Sequence, residues 1–193
     1  ARFLASAFCA GPSILLLALL LLKRLTGFDP GRDAVKTLTT FITYAMCINV
    51  FFYLLEVFTA FYSGIPGHQH PLVFLFAGHE GHVSWVTNWM WAAVVLAAAS
   101  LIILIPTQWR TGPLLPLALV MLVAASWIDK GLGLLIGGFA PTPYETYEVY
   151  TPTFWEVSIG LGIFAVGALV VTLLWKIAIE MKREGGEPFE LAE

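Results

Sequence analysis

From Phe3 to Leu22 the chain runs for twenty residues without a charged side chain and then stops at Lys23-Arg24. An α-helix rises 1.5 Å per residue, so such a run matches a hydrocarbon core of about 30 Å. Four more stretches of this kind follow, over about 34–62, 85–105, 113–138 and 153–179. The pattern recurs five times in 193 residues, 59% of them hydrophobic and 12% charged. A soluble domain has roughly 45–50% apolar and about 25% charged residues. The expectation is an all-α membrane protein, a bundle of about five transmembrane helices over 1–180 with a polar tail over 181–193.

The breaks between the runs carry turn chemistry. Gly27, Asp29-Pro30 and Gly31 separate the first two helices. Pro12 predicts a kink in the first. A loop is expected over about 63–84, holding all four histidines, His68, His70, His79 and His82. Pro106 ends the third helix, and Thr153 or Thr151 caps the fifth. The fourth is expected to continue through Asp129-Lys130 to about Gly138. Trp85, Trp89 and Trp91 mark one membrane interface and Trp109 the other. Ala93, Ala97 and Ser100 form a small-residue face for close helix contact. Lys23, Arg24, Arg32, Lys36, Arg110, Lys176, Lys182 and Arg183 fall on one side of a five-helix arrangement, leaving Arg2 and Lys130 on the other. The positive-inside rule then puts the N-terminus outside and the C-terminus in the cytoplasm of a cell (inner) membrane protein.

Several chemistries are disfavoured at once. A net charge of −3 suggests no nucleic-acid partner. Cys9 and Cys47 lie in apolar runs and form neither a CxxC pair nor a four-cysteine cluster set. No histidine lies inside a spanning run, which argues against heme in this chain. His68-Gln69-His70 and His79-Glu80-Gly81-His82 could hold a metal, but such a loop is more often solvated or packed on a partner, so no metal is expected. Gly131 to Gly138 lack the GK[ST] of a phosphate loop and suit tight packing or a broken helix end. The chain begins at Ala1 and shows no leader cleavage site, so it reads as part of a longer chain.

What remains is a small set of charges in apolar surroundings. Asn49, Tyr53 and Glu56 fall on one narrow stripe of the second helix. Glu56 lies about 10 Å inside the outer end, at 1.5 Å per residue. Asp129-Lys130 and Glu156 approach the same level from the fourth and fifth helices. Embedded charges of this kind face a protein interior, a partner or water. The cluster reads as a proton path or a polar pocket for a quinone headgroup, with Asn49 and Tyr53 as quinone or water contacts. The plainer reading is a structural ion pair, such as Glu56–Lys130, that holds helices together. Glu156, in a first helical turn, also suits a dipole partner.

Glu56-Val57-Phe58-Thr59-Ala60-Phe61-Tyr62, Trp127-Ile128-Asp129-Lys130-Gly131 with Gly138-Phe139-Ala140-Pro141, and Tyr150-Thr151-Pro152-Thr153 with Glu156 resemble the C-terminal half of the NrfD/PsrC family. The likeness is greatest to the DsrP/HmcC branch, the membrane subunits of sulfate reducers' redox complexes in anaerobic respiration. The resemblance spans nearly all of the chain. It implies an N-terminal helical bundle of the same subunit ahead of this one. It implies electron exchange between menaquinone/menaquinol and a ferredoxin-like iron–sulfur subunit on the outer face. The other partners it implies are a multiheme cytochrome c and a cytochrome b with a heterodisulfide-reductase-like subunit. In relatives the quinone site lies mainly in the N-terminal bundle, and the C-terminal bundle is assigned a proton path. Two alternatives from other classes are an ion or proton transporter module and a structural anchor for peripheral redox subunits.

Overall fold

The computed structural model describes residues 2–27, 30–78, 85–110, 112–139 and 152–184. Among these it is all helical, with five helices long and apolar enough to cross a membrane. The chain divides into two compact units, one of residues 1–25 and 30–149, the other of 26–29 and 150–193.

The first unit is built from α1 (Arg2–Thr26), α2 (Arg32–Ser63), α3 (Pro66–Ala77), α4 (Trp85–Leu104) and α5 (Leu115–Ile128). The helix of α5 runs on as a π-helix over Asp129–Ile136 and ends in a short turn of α-helix, α6 (Gly137–Phe139). Its core holds Cys9 and Leu16 of α1, Ile42 and Met46 of α2, Leu104 of α4, and Leu115, Leu119 and Leu122 of α5. α4 and α5 make the most extensive helix contact among the described residues. There the buried Ser100 hydroxyl donates to the Ala118 carbonyl at 2.9 Å. Small residues let the two backbones approach, and a polar side chain then ties them together.

Several hydroxyls inside the spans find acceptors on their own helices. Ser13 donates to the Cys9 carbonyl at 2.6 Å, and Thr39 and Thr43 donate to carbonyls four residues back at 2.7 Å each. This is how such groups are accommodated where water cannot compete. At the far end of α4, Arg110 donates to the carbonyls of Leu104 (2.8 Å) and Ile105 (3.1 Å) and to the Thr40 hydroxyl (3.2 Å). One guanidinium thus closes the C-terminus of α4 and ties it to α2. α1 continues helically through Pro12.

One expectation is corrected here. The region read as a loop over 63–84 contains α3, with His68 and His70 on it; His79 and His82 lie outside the described residues. Gly64, at φ 64°, ends α2 in the left-handed region, and Pro66 opens α3 at its first turn. Phe74 and Leu75 are then buried against Val86, Met90 and Ile136 in a second small core. Pro66, Gly67 and Pro71 are residues that ordinarily break helices. Pro66 sits where a helix tolerates proline best, and at Pro71 tertiary burial outweighs a lost backbone bond.

The second unit is dominated by α7 (Phe154–Glu184). At the start of α7 the Glu156 carboxylate reaches back over the first turn and accepts from the Thr153 backbone N–H at 2.7 Å and from its hydroxyl at 2.9 Å, the glutamate half of a capping box. Phe154, Ile159, Phe164 and Leu169 are all exposed, on every side of the helix. A helix apolar all round suits a hydrocarbon surrounding.

Candidate functional site

α1 begins at the same end of the first unit where α2 finishes, α4 starts and α5 passes into its π-helix. That arrangement brings Arg2 against two carboxylates. Its guanidinium donates through Nη1 to Glu56 and through Nη2 to Asp129. It also lies 4.7 Å over the Tyr53 ring, a cation–π contact. The side chains of Arg2 and Asp129 are 25% and 23% exposed, that of Glu56 48%. The bridge is therefore asymmetric, one leg mostly buried and the other half open.

The two carboxylates expected to cluster do so, but the cation between them is Arg2. Lys130 lies over the Phe3 ring at 4.6 Å instead of pairing with Glu56. Successive side chains on a helix point to different sides, so Asp129 and Lys130 do not face the same partner. Arg2 was the missed residue. The basic-residue pattern sets Arg2 and Lys130 apart from the other eight, but nothing local to either says which of the two meets Glu56. Glu156 caps α7 in the other unit, as described above.

The π-helix shapes the site from below. A Cβ on Gly133 would meet the Asp129 Oδ1 and the Met90 Cε, both at 3.3 Å. A Cβ on Gly137 would stand 3.0 Å from Leu75 Cδ1. Glycine at these two places lets the widened turn lie directly against Met90 and α3. π-helical turns recur at functional sites because they re-aim side chains within a continuous helix.

Two cavities meet at the bridge. The outer one, 590 Å³, lies among α2, α3 and the π-helix and reaches Glu56, Thr59, His68 and Leu72. The inner one, 240 Å³, lies between α2, α4 and α5 and reaches Asn49, Val50, Leu101 and Ser126. Arg2, Tyr53, Met90 and Asp129 line both. An aromatic series backs them: Tyr53 meets Phe76 edge-on at 6.4 Å, and Phe76 meets Trp91 at 5.5 Å. The Trp91 indole N–H donates to the Phe76 carbonyl at 3.0 Å, so this tryptophan anchors α3.

The stripe of Asn49, Tyr53 and Glu56 thus faces inward, onto the cavities. Asn49 lies near the midpoint of α2, and its side-chain oxygen is buried with no hydrogen-bond partner among the described residues. A buried amide without a partner costs about 1–3 kcal/mol, so a polar atom from water or a ligand is expected to meet it. No group of three or more metal-ligating side chains occurs among the described residues. No family model, curated protein or solved structure matches the chain.

Proposed function

We propose that this chain is part of a membrane subunit of a respiratory redox complex of the NrfD/PsrC kind. It exchanges electrons between menaquinol and an iron–sulfur subunit seated at the end where α1 begins, the outer face of the cell membrane. The observation that carries the reading is the inner cavity. It has polar groups from Arg2, Tyr53, Asp129 and Asn49, and an apolar remainder of Val50, Val94 and Leu101. Leu54, 60% exposed, brings its rim to the lipid-facing surface. A pocket with clustered polar groups, an apolar remainder and an exposed leucine at its rim fits a molecule with a hydrogen-bonding head and an isoprenoid tail.

Asn49, Tyr53 and Asp129 would hold the headgroup, with Arg2 fixing the Asp129 carboxylate. The quinone supplies two-electron, two-proton chemistry when bound; the chain supplies hydrogen bonds and a proton acceptor near it. A carboxylate in a poorly solvated site suits that role. The test is quinol-dependent reduction of the partner heme in the purified complex. Asn49→Leu and Asp129→Asn are expected to lower turnover at least tenfold with subunit composition unchanged. Wild-type turnover in both would remove the quinone from this half and leave the bridge as a helix tie, the anchor reading.

A further inference from the structure

The bridge does more than join three helices. Arg2, Tyr53, Met90 and Asp129 form a wall common to both cavities. On the outer side the lining includes Glu56, Thr59 and His68, and Glu56 is half exposed. On the inner side lies Asn49, whose side-chain oxygen has no hydrogen-bond partner among the described residues, about 10 Å further along α2 at 1.5 Å per residue. Beyond Asn49 the passage stops. Leu16, Ile42, Met46, Leu104, Leu119 and Leu122, each 2% exposed or less, close the unit from α1, α2, α4 and α5.

We infer that Arg2 is a latch: held by Glu56 and Asp129 it separates a hydrated outer cavity from the inner one, and a proton arriving on either carboxylate loosens it, so that protons reach the membrane centre from one end only. One guanidinium faces two carboxylates, and a proton added to Glu56 or Asp129 leaves one ionised partner for Arg2. The transfer needs no other reactant: the carboxylate gains a proton from water and becomes a neutral acid. Among the described residues the other groups facing the bridge are Tyr53 on α2, His68 on α3 and Lys130 on the π-helix, the last turned to Phe3. Met90 is what α4 contributes. α1 packs on its neighbours through side chains such as Cys9 and Leu16, and Arg2 tethers its first turn to Glu56 and Asp129. The apolar floor makes the route a blind well rather than a channel, which sets it apart from a transporter module.

The inference deepens the reading of the same polar cluster, but its test requires neither quinone nor electron transfer. Asn49→Cys and Thr59→Cys are made singly in a Cys47→Ser background and the complex is placed in sealed vesicles of known orientation. The probe is a membrane-impermeant cationic methanethiosulfonate. The readout is the labelling rate of the thiol introduced at position 49 relative to that of the thiol introduced at position 59. The expected result is a low ratio at neutral pH, labelling only from the face where α1 begins, and a ratio at least tenfold higher in Arg2→Gln. If Arg2→Gln does not assemble, lowering the pH from 8 to 5 in the parent is expected to raise the ratio, the thiol at position 59 correcting for intrinsic reactivity. Equal rates at the two positions in the parent, a ratio unmoved by both perturbations, or labelling at position 49 from the opposite face would each overturn the latch.

Discussion

The two legs of the Arg2 bridge differ in burial, and that difference sets a measurable pair of energies. Asp129 is 23% exposed and Glu56 48%, while Arg2 is common to both pairs at 25%. Removing one partner of a fully buried pair costs about 3–5 kcal/mol, because the other charge stays behind unsolvated. An exposed pair couples by roughly 0.2–1 kcal/mol. For the largely buried Arg2–Asp129 leg the expected coupling lies between these, at about 2 kcal/mol, a factor near 25 in the folding equilibrium at about 1.4 kcal/mol per tenfold. For Arg2–Glu56, whose carboxylate is half exposed, it is about 0.5 kcal/mol. Double-mutant cycles with Arg2→Met, Asp129→Asn and Glu56→Gln would measure both, by reversible unfolding in mixed micelles read from tryptophan fluorescence. The asymmetric burial argument fails if the two couplings agree within about 0.3 kcal/mol, or if the Glu56 leg is the larger.

Two further outcomes follow from packing. Gly133→Ala places a methyl 3.3 Å from both Asp129 Oδ1 and Met90 Cε; Met90 can yield, so stability is expected to fall by only about 1 kcal/mol while the carboxylate shifts, and under the proposed function quinol turnover falls further than the same unfolding assay would suggest. Ser100→Ala removes the 2.9 Å bond to the Ala118 carbonyl and is expected to cost about 0.6 kcal/mol, up to roughly 1.7, in the same unfolding assay, with Ser100→Leu costing more by overfilling the α4–α5 contact.

Much of the architecture was legible because a bilayer leaves few options. An uncharged run of twenty residues such as Phe3 to Leu22 has to satisfy every backbone group internally, and a helix does so without reference to the rest of the chain. The stripe of Asn49, Tyr53 and Glu56 was legible for the same local reason, since a period of 3.6 residues puts them on one face. The capping of α7 by Thr153 and Glu156 is likewise written within four residues.

α3 was not legible, because Pro66, Gly67 and Pro71 give strong local breaker signals and only the burial of Phe74 and Leu75 against α4 and the π-helix outweighs them. Nor was the partner of Glu56. Lys130 and Arg2 are equally cationic, and the choice between them depends on which helix faces which, and on a π-helical turn that carries Asp129 to one side and Lys130 to the other. The sequence by itself determined that the chain is a set of apolar helices with a few costly charges near one end. Only the tertiary structure decided that 54 and 127 residues of separation close on Arg2, and that the closure divides one space into two. The physical reason is range: backbone satisfaction and helical period act within a turn or two, whereas an ion pair is specified by the meeting of surfaces that the local sequence does not encode.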